Sequence, residues 1–359
     1  MPDTPADPPK TQMVNCHVHT FTTDHTPLYF PAWPVAIFRY VPGLARFFRW
    51  LSSFTPYDKV TDFLARMEAF HRTGSRSSQR AVFRELLHYY PKDTRFVVLP
   101  MDMELIGHGP VNEDIFAQHD GLARLAADPD YGPQVIPFAT IYPDRPGAAE
   151  EVRRCVDELG FRGLKIYTKL GFAPDHPVLM EEVYPFCVER NIPVMSHCSR
   201  GGVYHKGWLQ YRQDQVTEPR AYETVLNRFP DLRLCLAHFG GDQDWISLLR
   251  DGFDPDDPQA RDKNWVSVIE EMIRSGNYPN LYTDISYTIF KFDNHISLLR
   301  MYLKDSRLRE RVLFGSDFYM TRQEALSEKA VSIKLRDALG EEDFHAIAHD
   351  NPRRWLGES

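Results

Sequence analysis

No apolar run in this chain approaches the roughly 20 residues that a bilayer-spanning helix needs, so a membrane protein is not expected. The first dozen residues, rich in Pro, Asp and Thr, lack the basic start and apolar stretch of a secretory leader. Positive charge is in deficit, with 42 Lys and Arg against 50 Asp and Glu and a net charge of −8. Without a general basic field a nucleic-acid partner is not expected. Cysteine is scarce: Cys16, Cys155, Cys187, Cys198 and Cys235 form an odd set without Cys-x-x-Cys spacing. That argues against a disulfide framework, and most of these thiols lie inside apolar runs where they pack as small hydrophobes. A reducing, cytoplasmic compartment is the expectation. The chain also lacks internal repeats and low-complexity tracts, which argues against repeat architectures.

What is present is a regular alternation. The 359 residues, 43% of them hydrophobic, suffice for a full core and read as one domain, 1–359, with insertions. Eight short apolar runs alternate with stretches of helical period: Met13–Cys16, Arg95–Met101, Gln134–Ile141, Gly163–Tyr167, Ile192–Ser196, Leu232–Ala237, Leu281–Ile285 and Val312–Ser316. Pro146–Leu159, with Ala149, Val152, Val156 and Leu159, and Leu179–Arg190, with Val183, Phe186 and Cys187, carry helical apolar faces. Glu341–Gly357 reads as a closing helix broken at Asn351-Pro352. Eight strands alternating with helices predict an α/β fold, a closed (β/α)8 barrel of the TIM type with a long insertion after the first strand.

In such a barrel the strand C-termini form one rim, and residues there build the active site. His17 and His19 end the first run; on a strand, positions i and i+2 share a face, so both imidazoles point at one spot, as a metal ion requires. His197, His238 and Asp317 end the fifth, sixth and eighth runs. Singly these signals are weak, since a His pair is often just surface and Asp317 after Gly315-Ser316 reads equally as a helix N-cap. Five candidates at equivalent strand ends make a candidate metal centre. Asp102 and Asp284 also lie near strand ends but are ambiguous with helix caps. His25, His71, His88, His108, His119, His176, His295, His345 and His349 have no comparable placement and read as packed or solvated.

More than seventy residues separate His19 from the second run, so 20–94 is read as an insertion on the catalytic rim. Its first part, Leu28–Phe54, holds nine aromatics with Arg39, Arg46 and Arg49 as the only charges. It reads as packing against the barrel or a second subunit of a homo-oligomer, or as a lid walling a substrate pocket; contact with a membrane surface is the weaker alternative. A second insertion is read at Asp242–Trp265, with Asp254-Pro255-Asp256-Asp257-Pro258 as a turn or mobile loop.

The chain resembles the amidohydrolase superfamily, most closely its amidohydrolase-related branch of metal-dependent hydrolases, hydratases and nonoxidative decarboxylases. The resemblance rests on the ordered series Asn15-Cys16-His17-Val18-His19, Gly160-Phe161-Arg162-Gly163-Leu164-Lys165-Ile166-Tyr167, Gly171-Phe172-Ala173-Pro174-Asp175-His176-Pro177, Pro193-Val194-Met195-Ser196-His197, Leu236-Ala237-His238-Phe239-Gly240-Gly241, Phe314-Gly315-Ser316-Asp317 and Asn351-Pro352. It implies a distorted barrel with one divalent ion held by His17, His19, His197 and Asp317, and His238 close to the reacting oxygen. In binuclear members a lysine at the fourth strand end is carbamylated and bridges two ions. Lys165 occupies that position here, and reads otherwise as a cation at the pocket floor pairing with a substrate carboxylate or with Asp317.

Imidazole and carboxylate ligands suit zinc, with manganese or iron as alternatives. Such an ion activates water and polarises a carbonyl, which predicts a hydrolase acting on an amide, ester or lactone of a small, carboxylate- or ring-bearing molecule, with Asp317 and His238 as acid–base groups. The first alternative is a metal-dependent decarboxylase of an aromatic or enoic acid; the second is a metal-free binding protein on the same fold. Arg200 and His205, after the fifth run, are candidates for binding a substrate carboxylate, or read as part of a flexible loop.

Overall fold

In a computed structural model of the protein, residues 12–30, 72–250, 252, 259–323 and 327–358 are described. The aromatic stretch of the first insertion beyond Phe30 and the Asp-Pro turn of the second lie outside them.

Among the described residues the strands are β1 (Val14–Val18), β2 (Arg95–Val98), β3 (Val135–Pro137), β4 (Ala139–Thr140), β5 (Leu164–Ile166), β6 (Val194–Ser196), β7 (Leu234–Leu236), β8 (Leu281–Asp284) and β9 (Val312–Leu313). All pair in parallel, in the orders β1-β2-β3 and β4 through β9. The third apolar run is therefore two strands, and Phe138 is the changeover. Its N–H goes to the Val98 carbonyl on β2 at 3.1 Å, whereas the Ala139 N–H goes to Gly163 before β5 at 2.9 Å. The run is one stave serving two neighbours. After β9 the chain returns to β1: Cys16 N–H reaches the Phe314 carbonyl at 2.8 Å, Asp317 N–H reaches His17 at 2.8 Å, and Val18 bridges Phe318. First and last staves are thus joined, as in a (β/α)8 barrel.

Alternate residues of the staves fill the inside. Val14, Cys16, Val97, Leu99, Met195, Cys235, Tyr282 and Leu313 form one buried cluster, with Trp355 and Leu356 of the terminal helix beneath. The opposite parity, including Phe96, Leu164, Ile166, Val194, Leu234 and Leu236, joins the larger cluster between staves and helices, as does Val18 beyond the register shift of β1. This division is why the strands read as continuous apolar runs instead of alternating ones.

The helices differ from expectation where proline intervenes. The stretch expected as Pro146–Leu159 is a helix over Ala148–Asp157. Leu179–Arg190 is a π turn, Leu179–Val183, continued by the helix Tyr184–Glu189. Near the C-terminus, Glu328–His345 leads into a second π turn, Ala346–Asp350, and then the helix Asn351–Leu356. The expected break at Asn351-Pro352 is thus a widened turn, and the backbone departs from helix instead at Gly340 (φ 78°, ψ 169°). Pro185 and Pro352 each lack an N–H and crowd the carbonyl four residues back, so the preceding turn opens. At the second site the opening is used: the Phe314 N–H beside β9 donates to Ile347 at 2.8 Å, and Asn351 Nδ2 donates to Arg309 and Val312 carbonyls, each at 2.7 Å. All five cysteines are buried and unpaired. Among the described residues no helix is long and apolar enough to cross a membrane.

Gly163 precedes β5 at the changeover, where an added Cβ would stand 2.3 Å from the Phe138 ring. Gly163→Ala should therefore destabilise the fold by about 1–3 kcal/mol through overpacking. A lowered midpoint of urea unfolding with unchanged slope would show it; an unchanged midpoint would mean that Phe138 moves freely.

Candidate functional site

Strand parity carries part of the site inward. Lys165 lies between Leu164 and Ile166, which face outward; His197 follows Met195 by two residues, and Asp284 follows Tyr282 by two. On β1 the pairing register shifts between Asn15 and Val18, and this irregularity lets Cys16 belong to the interior while His17 and His19 stand at the rim. His238 and Asp317 have φ of 68° and 64°, an uncommon conformation for a side-chain-bearing residue, which ends the regular alternation where each side chain is delivered.

His17, His19 and Asp317 converge: one ligand atom from each lies within 4.8 Å of the others. Asp317 Oδ1 is 3.0 Å from His19 Nε2 and 3.6 Å from His17 Nε2. The far sides of both rings are fixed, because His19 Nδ1 donates to the Leu99 carbonyl at 2.7 Å and His17 Nδ1 donates to Asp284 Oδ2 at 2.9 Å. A ring that donates through Nδ1 presents a lone pair at Nε2 unless it is doubly protonated. Burial, reinforced by Lys165, pushes His17 down to about 3, so at neutral pH its Nε2 is a lone pair aimed at a carboxylate oxygen. Such a meeting is attractive only with positive charge between the groups. Either a second proton on His19 or a divalent cation supplies it, and the donor set, two imidazole nitrogens and one carboxylate oxygen with outer hydrogen bonds in place, fits the cation.

Further imidazoles continue the row. His238 lies 4.9 Å from the His17 ring and 4.8 Å from His197, and its Nε2 is 3.1 Å from His197 Nδ1. His197 is not in the three-atom convergence: its ring stacks on Tyr167 at 4.1 Å, and its Nε2 donates to the Gly201 carbonyl at 3.1 Å. Burial pushes both His197 and His238 down. Lys165 is 1% exposed, and among the described residues its ammonium has no hydrogen-bond partner. Burial lowers it to about 8, with Asp284 and Asp317 acting against that shift. Burial alone would raise Asp317; the hydrogen bond with His19 and the neighbouring imidazoles outweigh it and hold the carboxyl below its ordinary value.

Two other expected residues are placed elsewhere. The Arg200 guanidinium meets Asp244 at 2.9 Å and Asp214 at 3.0 Å and stacks over Trp265 at 4.4 Å. His205 is half-buried, accepting from the Gly207 N–H at 3.1 Å and packing beside Trp208 at 5.8 Å. Neither supplies an atom to the convergent groups. Lys169 does contribute indirectly, donating at 2.9 Å to the same Gly201 carbonyl that meets His197. Asp284 is the residue that sequence reasoning underweighted. It accepts from His17, from the His238 N–H at 3.0 Å and from the Ser286 N–H at 2.9 Å, and with His17 and His238 it forms a second convergent group. Its signal was available, since it ends its strand two residues after an inward Tyr282.

The amidohydrolase family profile matches residues 14–357, nearly the whole chain. The chain belongs to the amidohydrolase family. This amidohydrolase is accordingly an enzyme of that superfamily, and solved structures share its fold. The 5-carboxyvanillate decarboxylase of Sphingomonas paucimobilis is similar with a TM-score of 0.55 at 15% identity, over 98% of this chain and 100% of that one. A probable 2-pyrone-4,6-dicarboxylic acid hydrolase of Acinetobacter baumannii, with citric acid bound, matches at 0.54 and 13%, over 96% and 99%. The 5-carboxyvanillate decarboxylase of Novosphingobium aromaticivorans, complexed with manganese and a nitrobenzoic acid, matches at 0.54 and 14%, over 97% and 96%. At such identities the likeness is one of fold.

Asp284 orients His17 from behind, so Asp284→Asn should weaken divalent-ion affinity about 10–100-fold without loss of the barrel. Competition with a chromogenic chelator measures it, with circular dichroism as the folding control. Unchanged affinity would separate Asp284 from the candidate metal centre.

Proposed function

We propose that this amidohydrolase is a metal-dependent hydrolase that opens an amide, ester or lactone bond in a small molecule bearing a carboxylate or ring. The observation that carries the reading is the meeting of two imidazole nitrogens and a carboxylate oxygen beside a buried lysine ammonium that has no hydrogen-bond partner among the described residues. The first asks for a cation, the second for an anion. His17, His19 and Asp317 hold the ion in this reading, with His197 as the further ligand. Zinc suits that donor set, with manganese or iron as alternatives. When bound, such an ion supplies Lewis acidity toward a substrate oxygen and brings water within reach of deprotonation near neutral pH.

The protein's own groups do the rest. Asp317, kept ionised, accepts the proton of the attacking water and returns it to the leaving group. His238, held by Asp284 through its backbone N–H and by Ser286, faces the reacting oxygen as hydrogen-bond donor. Lys165 pairs with the substrate's carboxylate at the pocket floor. Should Lys165 instead be carbamylated, a second ion would be held. The five buried thiols support placement in a reducing, cytoplasmic compartment.

Decarboxylation of an aromatic or enoic acid draws on the same residues, and the unpartnered Lys165 supports it too, because that substrate must present a carboxylate. Carbon dioxide release separates the two, since hydrolysis produces none. The chain acts on a small molecule under either reading, and the metal-free alternative is disfavoured by the donor set.

Asp317→Ala and His197→Ala should each lose the ion, read by plasma mass spectrometry on protein purified without chelator. Asp317→Ala should also lower kcat/KM about 10²–10⁴-fold. Ion retained in His197→Ala would confine the ligand set to the three convergent residues, whereas full activity of Asp317→Ala would sink the assignment. Lys165→Met should raise KM for a carboxylate substrate about 10–100-fold, the cost of one charge-assisted hydrogen bond. An effect on ion count instead of KM would identify Lys165 as a metal-bridging group.

A further inference from the structure

A second set of ligating side chains lies far from the catalytic rim. His345, His349 and Asp350 each offer one ligand atom, and the three atoms lie within 4.8 Å of one another. His345 ends the helix Glu328–His345, and the other two belong to the π turn Ala346–Asp350. In an α-helix positions i and i+4 share a face, but i+5 lies about 140° round the axis. The π turn undoes that separation, placing Asp350 Oδ1 3.1 Å from His345 Nε2. Pro352, which opens this turn, is therefore also what assembles the three side chains.

The cluster has the outer support that metal-binding histidines use. His349 Nδ1 donates to the Gln12 carbonyl at 2.8 Å, which leaves Nε2 as its lone-pair nitrogen. The two rings lie 4.7 Å apart. Gln12 precedes β1, so the cluster sits at the N-terminal end of the staves, opposite His17 and His19. His345 and Asp350 are 41% and 49% exposed, open to an ion from solvent. The buried cluster of His119, Glu151 and Cys155 shows the contrast. His119 donates through Nδ1 to Glu151 at 2.7 Å and accepts the Thr140 N–H through Nε2 at 3.1 Å, so neither nitrogen is left for a metal.

We propose that His345, His349 and Asp350 form a peripheral site for a divalent transition ion of the zinc class, with water completing the shell. Ligand atoms about 2.0–2.1 Å from a tetrahedral ion stand about 3.3 Å apart, close to the observed His345–Asp350 spacing. Two imidazoles select against magnesium and calcium, which take oxygen shells. Bound there, the ion ties the π turn, and through His349 the start of β1, into one unit. The proposal is independent of the reaction assigned to the catalytic centre.

The test is calorimetric titration of zinc chloride into the chelator-stripped full chain, with His345→Ala and His349→Gln beside the parent and circular dichroism to confirm folding. Each variant should bind one zinc fewer than the parent, whatever number the catalytic centre takes, and magnesium chloride should not compete for that equivalent. Equal zinc stoichiometry in the parent and a folded variant would overturn the proposal. So would magnesium displacing the peripheral zinc.

Discussion

Everything at the catalytic rim depends on the joining of the first stave to the last, because His17 and Asp317 are three hundred residues apart in the chain. Asn15 is the clasp. Its Oδ1 accepts the His17 N–H at 3.2 Å and the Ser316 N–H at 3.1 Å, while Nδ2 donates to Ser316 Oγ at 2.9 Å and to Tyr90 Oη at 3.0 Å. One amide thus fixes the backbones of His17 and of Ser316, the residue before Asp317. Tyr90 in turn donates to the buried Glu328 at 2.6 Å, which also accepts from Thr321 at 2.9 Å, so the helix that begins at Glu328 is moored to the same point. Loss of such a buried, satisfied network costs more than its individual bonds suggest, since each partner left behind stays desolvated.

The clasp brings together groups that repel unless charge is supplied. Four imidazoles in a row, two carboxylates and one lysine share a buried region, and burial drives His17, His197, His238, Lys165 and the two carboxylates toward their neutral forms. Asp284 resists because the contact with His17 and the nearby His238 outweigh its own burial and keep it ionised. At His17 the result is a proton on the outward Nδ1 and a lone pair turned inward at Nε2. In the proposed reading that is preorganisation for a cation.

Much of this was legible because barrels repeat one rule, strand followed by helix with function at the strand end. The eight staves, the rim and the five-residue candidate set follow from apolar runs and what comes just after them. What stayed hidden depends on backbone detail. The irregular register in β1 and the positive φ of His238 and Asp317 leave no mark in residue type, so the sequence could not say which nitrogen of which ring would face the centre. Asp284 looked like any cap because its role is an outer one, set by His17 from another strand. Arg200 looked free for substrate because its pairing with Asp214 and Asp244 depends on how the following loop and helix fold back. The division of Gln134–Ile141 at Phe138 was likewise invisible, since a stave bonding to two neighbours reads as one apolar run.

Proline shows how a local covalent fact reaches the site. At Pro352 a missing N–H opens a turn; the freed Ile347 carbonyl takes the Phe314 N–H, and Asn351 grips the Val312 carbonyl. Both contacts hold the last stave, whose continuation carries Asp317 to His17. A substitution that restored a regular α-helix there would withdraw Ile347 from Phe314 and slacken the stave that delivers the carboxylate. The chain end, far from the chemistry, therefore belongs to the machinery that keeps the closure tight.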